Sequence, residues 1–155
     1  QIYKYVFFRT NGVDSDDIVE NIFIKLWLNI EKYEKRDVSF SSWLYKIASN
    51  TIIDHHRAHR PLSQIDPSFA DESEHSQPKK IAEQNVMAEK VRTAVNELRE
   101  PYRQVVSLKF LSGLSNTEIA EIMGEREGNV RVLQFRALKE LKKIMEEKGL
   151  SYEML

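Results

Sequence analysis

Residues 117–141, TEIAEIMGEREGNVRVLQFRALKEL, decide the fold of this 155-residue chain. The apolar residues recur at three and four positions, first over 119–123 and then over 130–144, with Gly124 between the two runs. That period belongs to helices, and a glycine just past a periodic run ends one. Ser115 and Glu118 form the S-x-x-E pattern of a capping box, which fixes the start of the first helix. Val130, Leu133, Ala137, Leu141 and Ile144 share one face of the second, positioned to pack on Ile119, Ile122 and Met123. The opposite face carries Arg131, Val132, Phe135, Arg136, Lys139 and Lys143. Between 126 and 143 stand six basic residues against two acids, a local charge of +4 in a chain whose formal total is −1. Acids elsewhere cancel that charge in the sum but not in space.

Two short helices hinged at a glycine, the second basic, make a helix-turn-helix, which sets its second helix in the DNA major groove. Arg131, Phe135 and Arg136 are placed for base edges, where arginine bonds guanine and an apolar side chain meets a thymine methyl. Lys139 and Lys143 are placed for phosphates. The alternative is a solvated basic face on an ordinary hairpin, which has no use for an exposed Phe135.

Outward from this stretch, strand signals are weak and the expected class is all-α. Helices are expected near 80–98, 101–112, 116–123 and 127–147, and, in an N-terminal lobe, near 1–10, 15–33 and 40–60. Between the lobes, residues 61–78 (PLSQIDPSFADESEHSQP) hold three of the four prolines, several acids and few large apolar side chains. Such a segment cannot bury enough apolar area to offset its ordering, so it reads as an extended acidic linker. The expected organisation is a domain over 1–60, a linker over 61–79, a domain over 80–148 and a tail over 149–155. The first helix starts without a cap, so further residues are expected before Gln1. Apolar residues are 41% and charged residues 30% of the chain, and cysteine is absent, which excludes disulfide and thiolate chemistry. No window reaches the ~18 apolar residues of a membrane span. A cytoplasmic protein without membrane insertion is expected.

In the N-terminal lobe, residues 40–60 (FSSWLYKIASNTIIDHHRAHR) have two sides. Phe40, Trp43, Leu44, Ile47 and Thr51 line one. Lys46, Asn50, Ile53, Arg57 and Arg60 line the other, a stripe that would track a nucleic-acid backbone with Asn50 available to a base edge. Phe40, Trp43 and Tyr45 could stack an unpaired base, although Trp43 also suits a core. Residues 14–33 carry a buried stripe of Ile18, Ile22, Leu26 and Ile30. Their far side mixes Asp17, Glu20 and Asn21 with Ile24 and Leu28. Solvent does not call for those aliphatics, so this side reads as a docking face for a basic protein, or as a face covered by residues before Gln1. In HHRAH (55–59), His55 and His59 lie one turn apart. Zinc needs three or four ligands, and no cysteine or carboxylate pairing in the sequence completes the set, so neither metal nor cofactor is expected.

Taken together these stretches resemble the bacterial extracytoplasmic-function sigma factors, the two-lobed initiation subunits of RNA polymerase. DDIVENIFIKLW resembles the family's clamp-binding helix, FSSWLYKIASNTIIDHHRAHR its minus-ten helix, and residues 98–141 its minus-thirty-five lobe. The resemblance implies no catalytic chemistry. It implies that Asp17, Glu20, Asn21, Ile24 and Leu28 face the coiled coil of the polymerase beta-prime clamp, although the family's Gln-Glu pair is Glu20-Asn21 here. It implies that the loop from Lys35 and Arg36 to Phe40 forms the pocket for a flipped minus-ten base. Arg131, Val132, Phe135 and Arg136 fall on its minus-thirty-five reading positions. Val132 stands where relatives often have a small polar residue, which implies an altered preference, and Arg126 where they have a capping serine. The linker would thread toward the RNA exit path. The beta flap and an anti-sigma factor are further implied partners. Two rivals differ in class: a stand-alone dimeric DNA regulator, and a metal-dependent nuclease built on Asp54, His55, His56 and His59.

Overall fold

The computed structural model describes residues 1–33, 39–59 and 79–149, with side chains from 87 onward in the last segment. Among the described residues all regular structure is helical, as the apolar periodicity requires. Helices α1 (Ile2–Thr10), α2 (Ser15–Asn29) and α3 (Phe40–Ala58) form the N-terminal lobe. Helices α4 (Lys79–Glu97), α5 (Tyr102–Val106), α6 (Asn116–Met123) and α7 (Glu127–Glu147) form the other. A 3-10 turn, Ile30–Lys32, extends α2, and a wider π turn, Ser107–Leu111, extends α5. The π turn has a local cause. The Ser107 hydroxyl donates to the Arg103 carbonyl at 2.8 Å, competing for the ladder's acceptor, and Ser112 N–H reaches back to the Ser107 carbonyl at 3.2 Å.

The turn between α1 and α2 is tight. Asn11 ends α1 in the left-handed region at φ 58°, where asparagine is tolerated, and the Thr10 and Ser15 hydroxyls meet across the corner at 3.0 Å. This folds α1 back on α2, and both bury apolar side chains against α3: Tyr5, Val6, Ile18, Ile22, Tyr45, Ala48 and Ile52 are all within 3% of full burial. Inside, the Tyr5 hydroxyl and Ser49 Oγ lie 2.8 Å apart, so the buried phenol keeps a partner. Burial pushes the Tyr5 pKa up from its ordinary value.

The buried face of α3 is Ser42, Tyr45, Ala48, Ser49, Thr51 and Ile52, with Leu44 and Ile47 partly buried beside it. Its serines and alanine let α1 and α2 lie against the α3 backbone, which larger residues would hold off. Two sequence expectations for this lobe change on folding. Tyr45, expected to be available to an unpaired base, is 3% exposed with its ring edge-on to Tyr5 at 5.2 Å, and so belongs to the core. Ile30, expected in the buried stripe of α2, falls in the 3-10 turn and is exposed.

The two lobes meet. Helix α1 packs on α4 and on the π turn, and α3 packs on α6, so one apolar interior runs through both. At the seam, Arg9 is buried to 1% exposure and donates to Glu100 at 2.7 Å, while Arg103 approaches the same carboxylate at 3.2 Å. The Asn96 amide donates to Asn11 at 3.2 Å, and the Ser39 hydroxyl to Glu118 at 2.8 Å.

Candidate nucleic-acid and partner interfaces

The turn of the helix-turn-helix is held by the groups the sequence supplies for it. Ser115 Oγ accepts from the Glu118 N–H at 3.2 Å, and Glu118 accepts from the Ser115 N–H at 2.9 Å, a complete capping box. Glu118 also accepts from Ser39 of the other lobe. The Ser115 backbone N–H above all, with the hydroxyls of Ser39 and Ser115, holds the Glu118 carboxyl below the usual carboxylate range. Gly124 closes α6 at φ 68°. The Gln134 amide donates to Asn116 at 3.0 Å and the Thr117 hydroxyl to Glu127 at 3.4 Å, tying α7 to α6.

Helix α7 starts at Arg126 without a side-chain cap, since a guanidinium has no acceptor to offer the helix amides. Glu127 in the first turn complements the helix dipole and accepts from Arg131 at 2.5 Å. Val130 and Ala137 are fully buried, which fixes the rotation of α7. The other face therefore turns to solvent. Arg126, Arg131, Val132, Phe135, Arg136, Lys139 and Lys143 are all exposed, Phe135 at 70%.

On α3, Lys46, Asn50 and Arg57 are exposed and Ile53 is half-buried, one stripe along one side. Lys35, Arg36 and Arg60 lie outside the described residues, as do residues 61–78. Phe40 is exposed and Trp43 half-buried, and they join Tyr33 in an aromatic cluster with centroids 5.0–5.8 Å apart. Tyr33 was missed in sequence because it ends one helix while its partners begin the next.

On α2, Asp17, Glu20, Asn21, Ile24 and Leu28 are all exposed, and the structure adds Phe23 at 50% and Trp27 at 77%. The i, i+4 spacing of Phe23 and Trp27, beside that of Ile24 and Leu28, was the available signal. His55 and His59 stack at 4.1 Å between centroids, and Asp14 joins them. His56 lies beside the seam, where burial first, and then Arg103 and Arg9, lower its pKa. No helix among the described residues is long and apolar enough to cross a membrane.

Residues 1–61 match the family model of sigma-70 region 2, and residues 88–141 that of sigma-70 region 4. The chain is 32% identical over 134 residues to the ECF RNA polymerase sigma-E factor of Escherichia coli strain K12, covering 80% of this chain and 70% of that one. It is 28% identical to the ECF RNA polymerase sigma factor SigW of Bacillus subtilis, covering 92% and 82%. It is also 28% identical to the ECF RNA polymerase sigma factor BldN of Streptomyces coelicolor, covering 93% of this chain but 56% of that relative's length. The fold is shared with the sigma factor RpoE of Bartonella quintana, solved with the anti-sigma factor NepR, at a TM-score of 0.72 and 17% identity, covering 94% of this chain and 89% of that one. It is shared with CnrH, solved with the cytosolic domain of CnrY, at 0.67 and 22%, covering 94% and 82%. Two helical lobes, one carrying a basic helix-turn-helix and the other an acidic helix with exposed apolar side chains, thus match the family's two regions: the chain belongs to the ECF sigma factors of the sigma-70 family, non-enzymatic subunits that direct RNA polymerase to promoters.

Proposed function

We propose a division of this task among named faces. Arg131, Val132, Phe135 and Arg136 read the minus-thirty-five duplex in the major groove, while Arg126, Lys139 and Lys143 hold phosphates. Lys46, Asn50, Ile53 and Arg57 of α3, with Phe40, Trp43 and the residues Lys35, Arg36 and Arg60, take the minus-ten element as an opened strand. Capturing a base outside the stack lowers the net cost of strand opening. Asp17, Glu20, Asn21, Ile24 and Leu28 dock on the beta-prime clamp, the helix-turn-helix lobe engages the beta flap, and the chain works in the cytoplasm, where polymerase and promoter DNA are.

The observation that carries this reading is the rotation of α7: with Val130 and Ala137 fully buried, every base-reading candidate stands in solvent. The two DNA grips are weak singly and are joined by the holoenzyme, an effective-concentration gain. In the arrangement described above the lobes touch, so promoter engagement requires the Arg9–Glu100 and Ser39–Glu118 contacts to part. An anti-sigma factor is the natural partner for the closed form; the sigma factor RpoE, which shares the fold, was solved in complex with one.

In vitro transcription with bacterial core polymerase on a randomised promoter library tests the reading. Enrichment of two separated sequence blocks is expected, and substitutions on α7 should alter the upstream block alone. Tight specific DNA binding by a dimer without polymerase would instead favour a stand-alone regulator.

A further inference from the structure

Folding supplies what HHRAH lacks in sequence. Asp14, at the start of α2, lies against His55 and His59 in the last turns of α3, and one ligand atom from each falls within 4.8 Å of the others. We infer that these three side chains bind a borderline divalent metal ion, zinc being the reference ion, which clips the α1–α2 turn to the C-terminal end of α3.

Four features meet at this point. His55 Nε2 stands 3.1 Å from Asp14 Oδ2, close to the ~3.3 Å edge of a tetrahedron with ~2.0 Å metal–ligand bonds. His55 and His59 stand one helical turn apart with ring centroids at 4.1 Å, so both imidazoles lie on the side of α3 that meets Asp14. His59 Nδ1 lies 2.9 Å from the His55 carbonyl. A proton on that nitrogen leaves the lone pair on Nε2, the outer hydrogen bond that metal-bound histidines characteristically make. Finally, Asp14 occupies the N-cap of α2, where aspartate normally accepts from the helix amides, yet its side chain makes no capping bond. Its backbone is left-handed (φ 52°, ψ 23°), and its carboxylate reaches His55 instead.

A bare Asp14–His55 ion pair accounts for two of the three groups and gives no role to the oriented His59. Two imidazoles and one carboxylate select zinc, cobalt or nickel over magnesium or calcium, which prefer all-oxygen sets. Three protein ligands leave a coordination position for water. Asp54, which the nuclease reading would recruit, approaches Lys25 at 3.7 Å and is not a member of the cluster. The site's ligands come from two elements, the start of α2 and the end of α3, so a bound ion would act as a clip between them. It ties the helix that presents Asp17 to the end of the helix that presents Arg57.

The test uses the untagged full chain, stripped with chelator and dialysed against zinc at pH 7.5, with metal analysis and a parallel cobalt titration. One equivalent of zinc per chain is expected, with visible d–d absorption for cobalt and a zinc-dependent rise in melting temperature. Asp14→Asn, which keeps a residue tolerant of the left-handed backbone, and His59→Gln should each weaken zinc affinity by ~10-fold or more. His56→Gln, at the neighbouring histidine outside the cluster, should bind as the parent does. Circular dichroism shows whether each variant is folded. Sub-stoichiometric zinc on the parent chain would overturn the inference. So would full binding by folded Asp14→Asn and His59→Gln, or an equal loss in His56→Gln. None of these readouts involves polymerase or DNA, so they stand apart from the promoter assignments.

Discussion

The outer faces of α2 and α7 are built alike and charged oppositely. Each sets large apolar side chains among ionised ones on a surface where solvent needs none. On α2 these are Phe23, Ile24, Trp27 and Leu28 beside Asp16, Asp17 and Glu20; on α7 they are Val132, Phe135 and Leu138 among Arg131, Arg136, Lys139 and Lys143. The difference lies in the arrangement. The α2 apolar residues fall at i, i+1, i+4 and i+5 and form a continuous patch with acids toward one end, as a desolvated protein contact requires. Those of α7 are interleaved with cations, which suits a groove that offers phosphates at its walls and methyl groups on its floor. A formal charge near zero therefore hides two exposed, partly apolar surfaces of opposite sign.

Reversing the charge of the acidic face should have the largest effect. Asp17→Arg is expected to cost several kcal/mol of core-polymerase affinity, as for like charges brought together across an interface. Its melting temperature should be unchanged, because Asp17 is exposed. Normal capture of core enzyme by this variant would remove α2 from the interface. Next comes the seam that keeps the two faces on one body. Glu100→Ala leaves Arg9, at 1% exposure, without its carboxylate. Breaking a fully buried pair costs ~3–5 kcal/mol, and the 40% exposure of the Glu100 side chain reduces the expected cost of closure to roughly 2–3 kcal/mol. Small-angle scattering should show the lobes further apart, since separation lets Arg9 regain water. An unchanged radius of gyration would mean that apolar packing alone holds the seam.

On the basic face, Arg136→Ala should weaken upstream-element recognition by ~1–3 kcal/mol, the worth of a bidentate base contact. The loss should be specific to the promoter position it reads. Lys143→Ala, by contrast, should weaken all promoters alike and flatten the salt dependence. An Arg136→Ala profile identical to the parent's would move base reading elsewhere on α7.

Sequence periodicity exposed these faces unequally. Across α6 and α7 the capping box, the glycine stop and the apolar seam all agree, so the rotation of α7, and with it the exposure of Arg131 and Arg136, follows from local rules. In α3 the core face mixes large and small residues. Tyr45, Ala48 and Ile52 are buried together with Ser42, Ser49 and Thr51, because three helices converge there, and serines at close-packed contacts leave no hydrophobic signature. The face that holds Tyr45 therefore does not stand out in the sequence. The Arg9–Glu100 pair and the Asp14–His55–His59 cluster each join residues distant in the chain, and no periodicity encodes them.

The smallest effect concerns Glu118, which belongs to both comparisons: it caps α6 beneath the basic face and accepts from Ser39 at the start of α3. Its folded-state pKa is depressed, chiefly by the Ser115 N–H. A depressed carboxylate contributes stability that is fully present above its unfolded value and is lost as pH falls through the folded one. Acidification below the usual carboxylate range should therefore loosen the α6 cap and the α3–α6 contact together. Glu118→Gln retains an acceptor for the Ser115 N–H but lacks the charge. It should cost at most about 1 kcal/mol at neutral pH, within the range for a cap, and should remove this contribution to the acid limb of the stability curve. Amide exchange at the α6 N-terminus reports the cap, and exchange at Ser42 reports α3. If acid releases the first and leaves the second protected, Ser39–Glu118 is incidental and the lobes are joined through Arg9 and the apolar interior alone.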